Sequence, residues 1–459
     1  MTVTRFAVGK RKIVFMRSAL IYLFLFAATL GSAFAQSSPA LDVFTEHGFY
    51  TSNVPNKIYI ESRIDLPDTA GKDRPALVHN IAFVLDRSGS MLGPRIESLR
   101  KAVSVAIGSL SDRDIVSIVV FGSEVETLVE AKRRDQLTDI DAVLAQIEPS
   151  GGSALYDALN QGAAQLRRYA APSMLNHLIL VTDGPSTKGP QEVDDFIHLT
   201  EAFAREGIGL STVGIGEDFE EDLLASLARK GNGLFRFANK PEALVEVVPA
   251  EVARLCTVIA KDATLTVECT PDCSKIESVG WVPASITSST ATYHFFYLYT
   301  GQNPRILTAV SAQPRLSSYQ LGTVRLSWQD PVDRKPHEII KPLEIHLESD
   351  ERAVSTSRDP EVARSLADAI ARQGMQDAIK QIDKGELRRA VRPLRHVLSD
   401  LYNLNYRLDD PQIATKISAF ESYLAEIKAR GINQVDRKIL RSGLFNKFGI
   451  PTSDDSPEN

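Results

Sequence analysis

The chain is poor in cysteine, tryptophan and histidine, with three, two and eight among 459 residues. So few cysteines exclude a fold built on disulfides. No histidine lies near Cys256, Cys269 or Cys273, which argues against zinc. Cys269 and Cys273 flank Thr270-Pro271-Asp272 and are spaced for a short disulfide in an oxidising compartment, with free thiols as the alternative. No phosphate loop and no nucleophile elbow is present, and Gly214-Ile215-Gly216 lacks the third glycine of a dinucleotide motif. After the first 35 residues no apolar run is long enough to span a bilayer.

Those first residues form a leader. Arg5, Lys10, Arg11, Lys12 and Arg17 precede an apolar run from Ala19 to Leu30, and Ala33 and Ala35 fit a signal-peptidase site. A signal peptide over 1–35 is expected, with an uncleaved N-terminal anchor in the inner membrane as the alternative. The expected location is therefore periplasmic or secreted. Removing the leader takes away five basic residues and no acid, so the net charge moves from −6 to −11. An acidic mature chain argues against nucleic acid as a partner.

At this length, two to four domains are expected. KIYIESRIDL alternates apolar and polar residues, so 41–66 reads as extended. From 78 to 255 apolar strands alternate with amphipathic helices, the pattern of an α/β domain whose mostly parallel sheet is covered on both faces. From 261 to 350 short strands separated by turns predict a β-sandwich, which the 41–66 strands are expected to join. That places the α/β domain as an insertion. From 358 to 445 the spacing is helical, with Pro393 expected to kink or displace the second helix. The last residues, 446–459, are polar and acidic, a composition of disorder.

Three segments carry chemistry. IAFVLDRSGSM ends a buried strand in Asp86, followed by Ser88 and Ser90. PSGGSALYDAL places Ser153 at the start of a helix, and LILVTDGPS places Asp183 at the end of another strand. Two acids and three hydroxyls form a hard-oxygen set suited to Mg²⁺ or Mn²⁺. Either acid alone would read as a helix cap.

Together, DRSGS, GGS and TDG resemble the von Willebrand factor type A domain and its metal-ion-dependent adhesion site. The resemblance implies a Rossmann-like fold and a divalent ion (Mg²⁺, Mn²⁺ or Ca²⁺) held at Asp86, Ser88, Ser90, Ser153 and Asp183. Serine stands at 153 where that family usually has threonine. In the family the serines ligate directly and at least one acid acts through water, leaving a ligand position open. GIGEDFEEDLLASLARKGNGLFRF and KDATLTVE further resemble secreted bacterial proteins, some labelled calcium-activated chloride channel homologues. The channel label does not transfer to this chain.

The function expected is therefore a non-enzymatic, metal-dependent module that captures an Asp or Glu of a protein partner. A metal-dependent hydrolase is the alternative, against which the three motifs offer no histidine or spare carboxylate as general base. A scaffold acting through the C-terminal helices is a further one.

Overall fold

The structure, a computed structural model, describes residues 38–432 apart from 52–55, 68–76, 172, 217–218, 272, 282 and 314–317. The expected leader and acidic tail lie outside the described residues. The chain opens with β1 (Ala40–Thr45), β2 (Phe49–Thr51) and β3 (Asn56–Asp65). An alternating α/β stretch follows: β4 (Val78–Asp86), α1 (Pro94–Gly108), β5 (Ile115–Phe121), β6 (Val125–Arg133), α2 (Ile140–Ala145), α3 (Leu155–Arg167), β7 (Met174–Thr182), α4 (Val193–Arg205), β8 (Ile208–Ile215), α5 (Glu221–Lys230), β9 (Asn232–Ala238) and α6 (Leu244–Leu255).

Its six strands lie in the order β6-β5-β4-β7-β8-β9. β5 and β8 are buried at every position, and β4 and β7 at every position but the first. Such strands need helices on both faces. Leu99 and Val103 of α1 and Leu244 and Val248 of α6 cover one face. Leu155 and Leu159 of α3, Phe196 and Phe203 of α4 and Leu227 of α5 cover the other. The sheet is mixed rather than wholly parallel, because β6 pairs antiparallel with β5 at the edge. Its charged residues Glu126, Glu130, Lys132 and Arg133 suit a half-covered edge strand and leave VETLVEAKR without an apolar run.

The remaining strands are β10 (Val258–Cys269), β11 (Cys273–Val279), β12 (Ser285–Ile286), β13 (Thr290–Tyr299), β14 (Arg305–Ala312), β15 (Ser318–Gln329) and β16 (Pro336–Glu348). They form two sheets with the first three strands, in the orders β1-β3-β14-β11 and β12-β13-β10-β15-β16-β2. β3 precedes the α/β stretch and β14 follows it, yet they pair from Arg63 opposite Arg305 to Asn56 opposite Ala312. The α/β layer is therefore inserted into a two-sheet body. Ile58, Ile60, Leu265, Val267, Phe295 and Leu326 fill the space between the sheets, and Tyr293 Oη lies 3.2 Å from Thr308 Oγ1 across them. Further along β13, Tyr297 and Tyr299 join the α/β core instead. There the Arg254 guanidinium lies 4.1 Å from the Tyr299 ring centroid and bonds the buried Glu251.

The chain ends in α7 (Glu351–Thr356), α8 (Pro360–Asp383), α9 (Leu387–Asn405) and α10 (Pro411–Arg430). Asp359 and Asp410 cap α8 and α10, each accepting two backbone N–H bonds, and each is followed by proline at the first helical position. α9 runs through Pro393 as one helix from Leu387, so the proline does not displace its start. The lost hydrogen bond is outweighed by the buried stripe Ala390, Leu394, Val397, Leu401 and Leu404.

Gly162 lets α3 approach the sheet. A Cβ there would stand 2.7 Å from Val84 Cγ2 and 2.8 Å from Leu178 Cδ2. Gly162→Val should therefore lose about 1–3 kcal/mol or more of stability, read as a lower urea midpoint. An unchanged midpoint would contradict this packing.

Candidate metal centre

β4 and β7 run side by side and parallel and end at the same edge of the sheet. Sheets of this kind bind ligands just beyond the carboxyl ends of their strands. Asp86 closes β4, fully buried, and Asp183 follows β7 at 1% exposure. A hydrogen-bonded chain joins them. Ser88 N donates to Asp86 Oδ1 at 2.7 Å, Ser88 Oγ lies 3.0 Å from Ser90 Oγ, and Ser90 Oγ donates to Asp183 Oδ1 at 2.7 Å. The other Asp86 oxygen accepts from Thr182 Oγ1 at 2.5 Å.

Ser153 stands just before α3, in a loop tied to both neighbours. Gly89 N donates to Gly151 O at 3.0 Å, Ser150 N to Arg87 O at 2.7 Å, and Thr187 N to Ser153 O at 2.9 Å. Gly151 adopts φ +74°, and a Cβ there would meet Ser123 Oγ at 2.3 Å, so the turn requires glycine. Ser153 N donates to Thr187 Oγ1 at 2.7 Å. Ser153 Oγ is buried and has no hydrogen-bond partner among the described residues. Buried hydroxyls nearly always have one. This orphan oxygen, beside two buried carboxylates and two further hydroxyls, fits the donor set of a hard divalent cation.

Thr182, Thr187, Ser123 and Arg95 escaped the sequence reading. Arg95 Nη1 donates to Asp183 Oδ2 at 2.5 Å and to Ser90 O at 3.2 Å. A signal for it existed. Arg95 follows Pro94 in the first turn of α1, where the helix dipole disfavours a cation, so such an arginine calls for an acid nearby.

Burial pushes the Asp86 carboxyl up to about 6, against the hydrogen bonds from Thr182 and Ser88; the neighbouring Asp183 charge pushes the same way as burial. His177 lies on β7, fully buried, with Nε2 2.8 Å from Ser211 Oγ. Ser211 in turn donates to Glu251. This set knits β7, β8 and α6 together inside the protein. Cys269 is buried and Cys273, beside it, is half-buried. Hydrogen bonding to the Cys273 side chain, then burial, pushes the Cys269 thiol up.

Residues 79–237 match the family model described as the von Willebrand factor type A domain. Inter-alpha-trypsin inhibitor heavy chain H2 of Mesocricetus auratus is 31% identical over 164 residues, 34% of this chain and 17% of that protein. The match thus spans under a fifth of that relative's length. An uncharacterized protein of Synechocystis is 21% identical over 326 residues, covering 69% of this chain and 77% of its own. Among solved structures, a von Willebrand factor type A protein from Catenulispora acidiphila aligns with TM-score 0.63 at 18% identity, covering 85% of this chain and 90% of that one. The ArnB paralog VWA2 from Sulfolobus acidocaldarius aligns with TM-score 0.55 at 19% identity, covering 84% and 93%. These two show a shared fold. The chain carries a von Willebrand factor type A domain, followed by further strands and a C-terminal helical segment.

The raised Asp86 has a consequence for stability without metal. The folded form holds the proton more tightly than the unfolded chain, so this contribution is full below about pH 4 and is lost as pH rises through about 6. In chelator, Asp86→Asn should remove that decline and gain on the order of 2–3 kcal/mol over wild type at pH 7; the Thr182 hydroxyl can turn to accept from the amide. Parallel stability–pH curves for the two proteins between pH 4 and 7 would contradict the assignment.

Proposed function

We propose that the protein is an exported, metal-ion-dependent binding module. Asp86, Ser88, Ser90, Ser153 and Asp183 would hold Mg²⁺, or Mn²⁺ or Ca²⁺ in its place, and the site would capture an Asp or Glu of a protein partner. The observation that carries this reading is the convergence of two buried carboxylates, two linked hydroxyls and the partnerless Ser153 Oγ at one sheet edge. Domains of this family generally mediate metal-dependent contacts between proteins.

When bound, the ion would supply an electron-poor centre with a position for an outside carboxylate. The chain's own residues do the rest. Asp86 and Asp183 provide the negative charge that attracts a cation, while Thr182 and the Ser88 amide fix the orientation of Asp86. The ties between Gly89 and Gly151 and between Thr187 and Ser153 hold the three loops at one spacing. Export is supported by the basic and then apolar leader of the sequence. The reading includes no catalysis. Hydrolysis would need a base beside the ion, and His177 is committed to Ser211 within the interior.

The outward face of α9 supports a second reading. Arg388, Arg392, Arg395 and Tyr402 are all exposed on it, and arginine and tyrosine are enriched at protein interfaces. A scaffold acting through these helices would bind without metal.

Calorimetric titration of Mn²⁺ into the purified chain should give one site, weakened at least tenfold in Asp86→Ala and also weakened in Ser153→Ala. Equal affinity in all three proteins would remove the metal reading. Partner capture in Mg²⁺ should fall in chelator and in Asp86→Ala. Capture that persists in both would leave docking through α9 in its place.

A further inference from the structure

Arg95 is the cation that the described ion pairs place on the buried acids of the site, 2.5 Å from Asp183 and with its side chain 27% exposed. It also donates to Ser90 O, so it grips two residues proposed to hold the ion. Its Cα lies in the first turn of α1 directly after Pro94, and Gly216, where a Cβ would stand 3.2 Å from Nη2, leaves the guanidinium the space to reach Asp183.

The charge count gives this contact its meaning. Asp86, Asp183 and Arg95 together carry one negative charge. Adding a divalent ion leaves the cluster at plus one, within surroundings where charges are felt more strongly than in water. We propose that Arg95 is a built-in counter-cation that weakens metal binding in the absence of an anion and so makes metal and carboxylate capture interdependent. This rests on the metal-binding reading above. By linkage, an anion that neutralises the excess charge tightens the metal by the same factor by which the metal tightens the anion. The site is then poorly charged until a carboxylate is present, and holds both firmly once it is. An arginine that merely braced Asp183 would act the other way, and its removal would loosen the metal.

The experiment is Mn²⁺ titration of the full chain by calorimetry, with and without acetate as the carboxylate probe, in wild type, Arg95→Gln, Arg95→Lys and Asp86→Ala. Arg95→Gln should bind Mn²⁺ alone more tightly, on the order of tenfold or more, with Arg95→Lys close to wild type. Acetate should tighten Mn²⁺ in wild type and do so less in Arg95→Gln. If wild type binds Mn²⁺, Asp86→Ala does not, and Arg95→Gln binds no tighter than wild type, the metal reading stands and the counter-cation is overturned. If no protein in the set binds Mn²⁺, both fall. Should Arg95→Gln fail to fold, the linkage in wild type decides: an Mn²⁺ affinity indifferent to acetate overturns the proposal.

Discussion

Two carboxylates withdrawn from water at one end of a mostly parallel sheet set the terms for everything around them. An ionised carboxylate in an apolar interior is costly unless paired and hydrogen-bonded. Asp86 meets that cost only in part. It takes hydrogen bonds from Thr182 and the Ser88 amide, yet burial still raises its carboxyl to about 6. Asp183 takes a hydroxyl from Ser90 and a guanidinium from Arg95. The three loops are bonded to one another before any ion is considered, so the hydroxyls are carried by backbone that is already positioned.

The sheet holding this edge is itself anchored. Its four central strands are buried on both faces, and α6 joins it to the two-sheet body through the Glu251–Arg254 pair and the Tyr299 ring. Glu251 has no exposure, and truncating either partner of such a pair leaves a buried charge behind. The pairing of β3 with β14 closes the body around the insertion. The helical segment then packs on the four-stranded sheet, with Leu307 of β14 inside its core.

What was legible in the sequence, and what was not, follows from where the information sits. Apolar runs such as IAFVLD and HLILVT report burial on both faces, so the central strands and the acids that end them could be read directly. β6 could not, because an edge strand with one wet face carries charges that interrupt its apolar residues. Asp86 and Asp183 announced themselves by ending apolar runs, whereas Arg95 sits in a helix where arginines usually face water. Only its place in the first turn set it apart. Pro393 did not displace the start of α9, because a local rule about helix breaking yields to a well-buried stripe. The partner of His177 lies 34 residues away on β8, a distance at which spacing carries no information.

The most direct test of the central claim is anomalous scattering from crystals of the chain grown with Mn²⁺. The account predicts a peak among Ser88, Ser90 and Ser153, with Asp86 and Asp183 around it and Arg95 still on Asp183. A peak elsewhere, or no peak at this sheet edge in crystals that hold Mn²⁺, would contradict it.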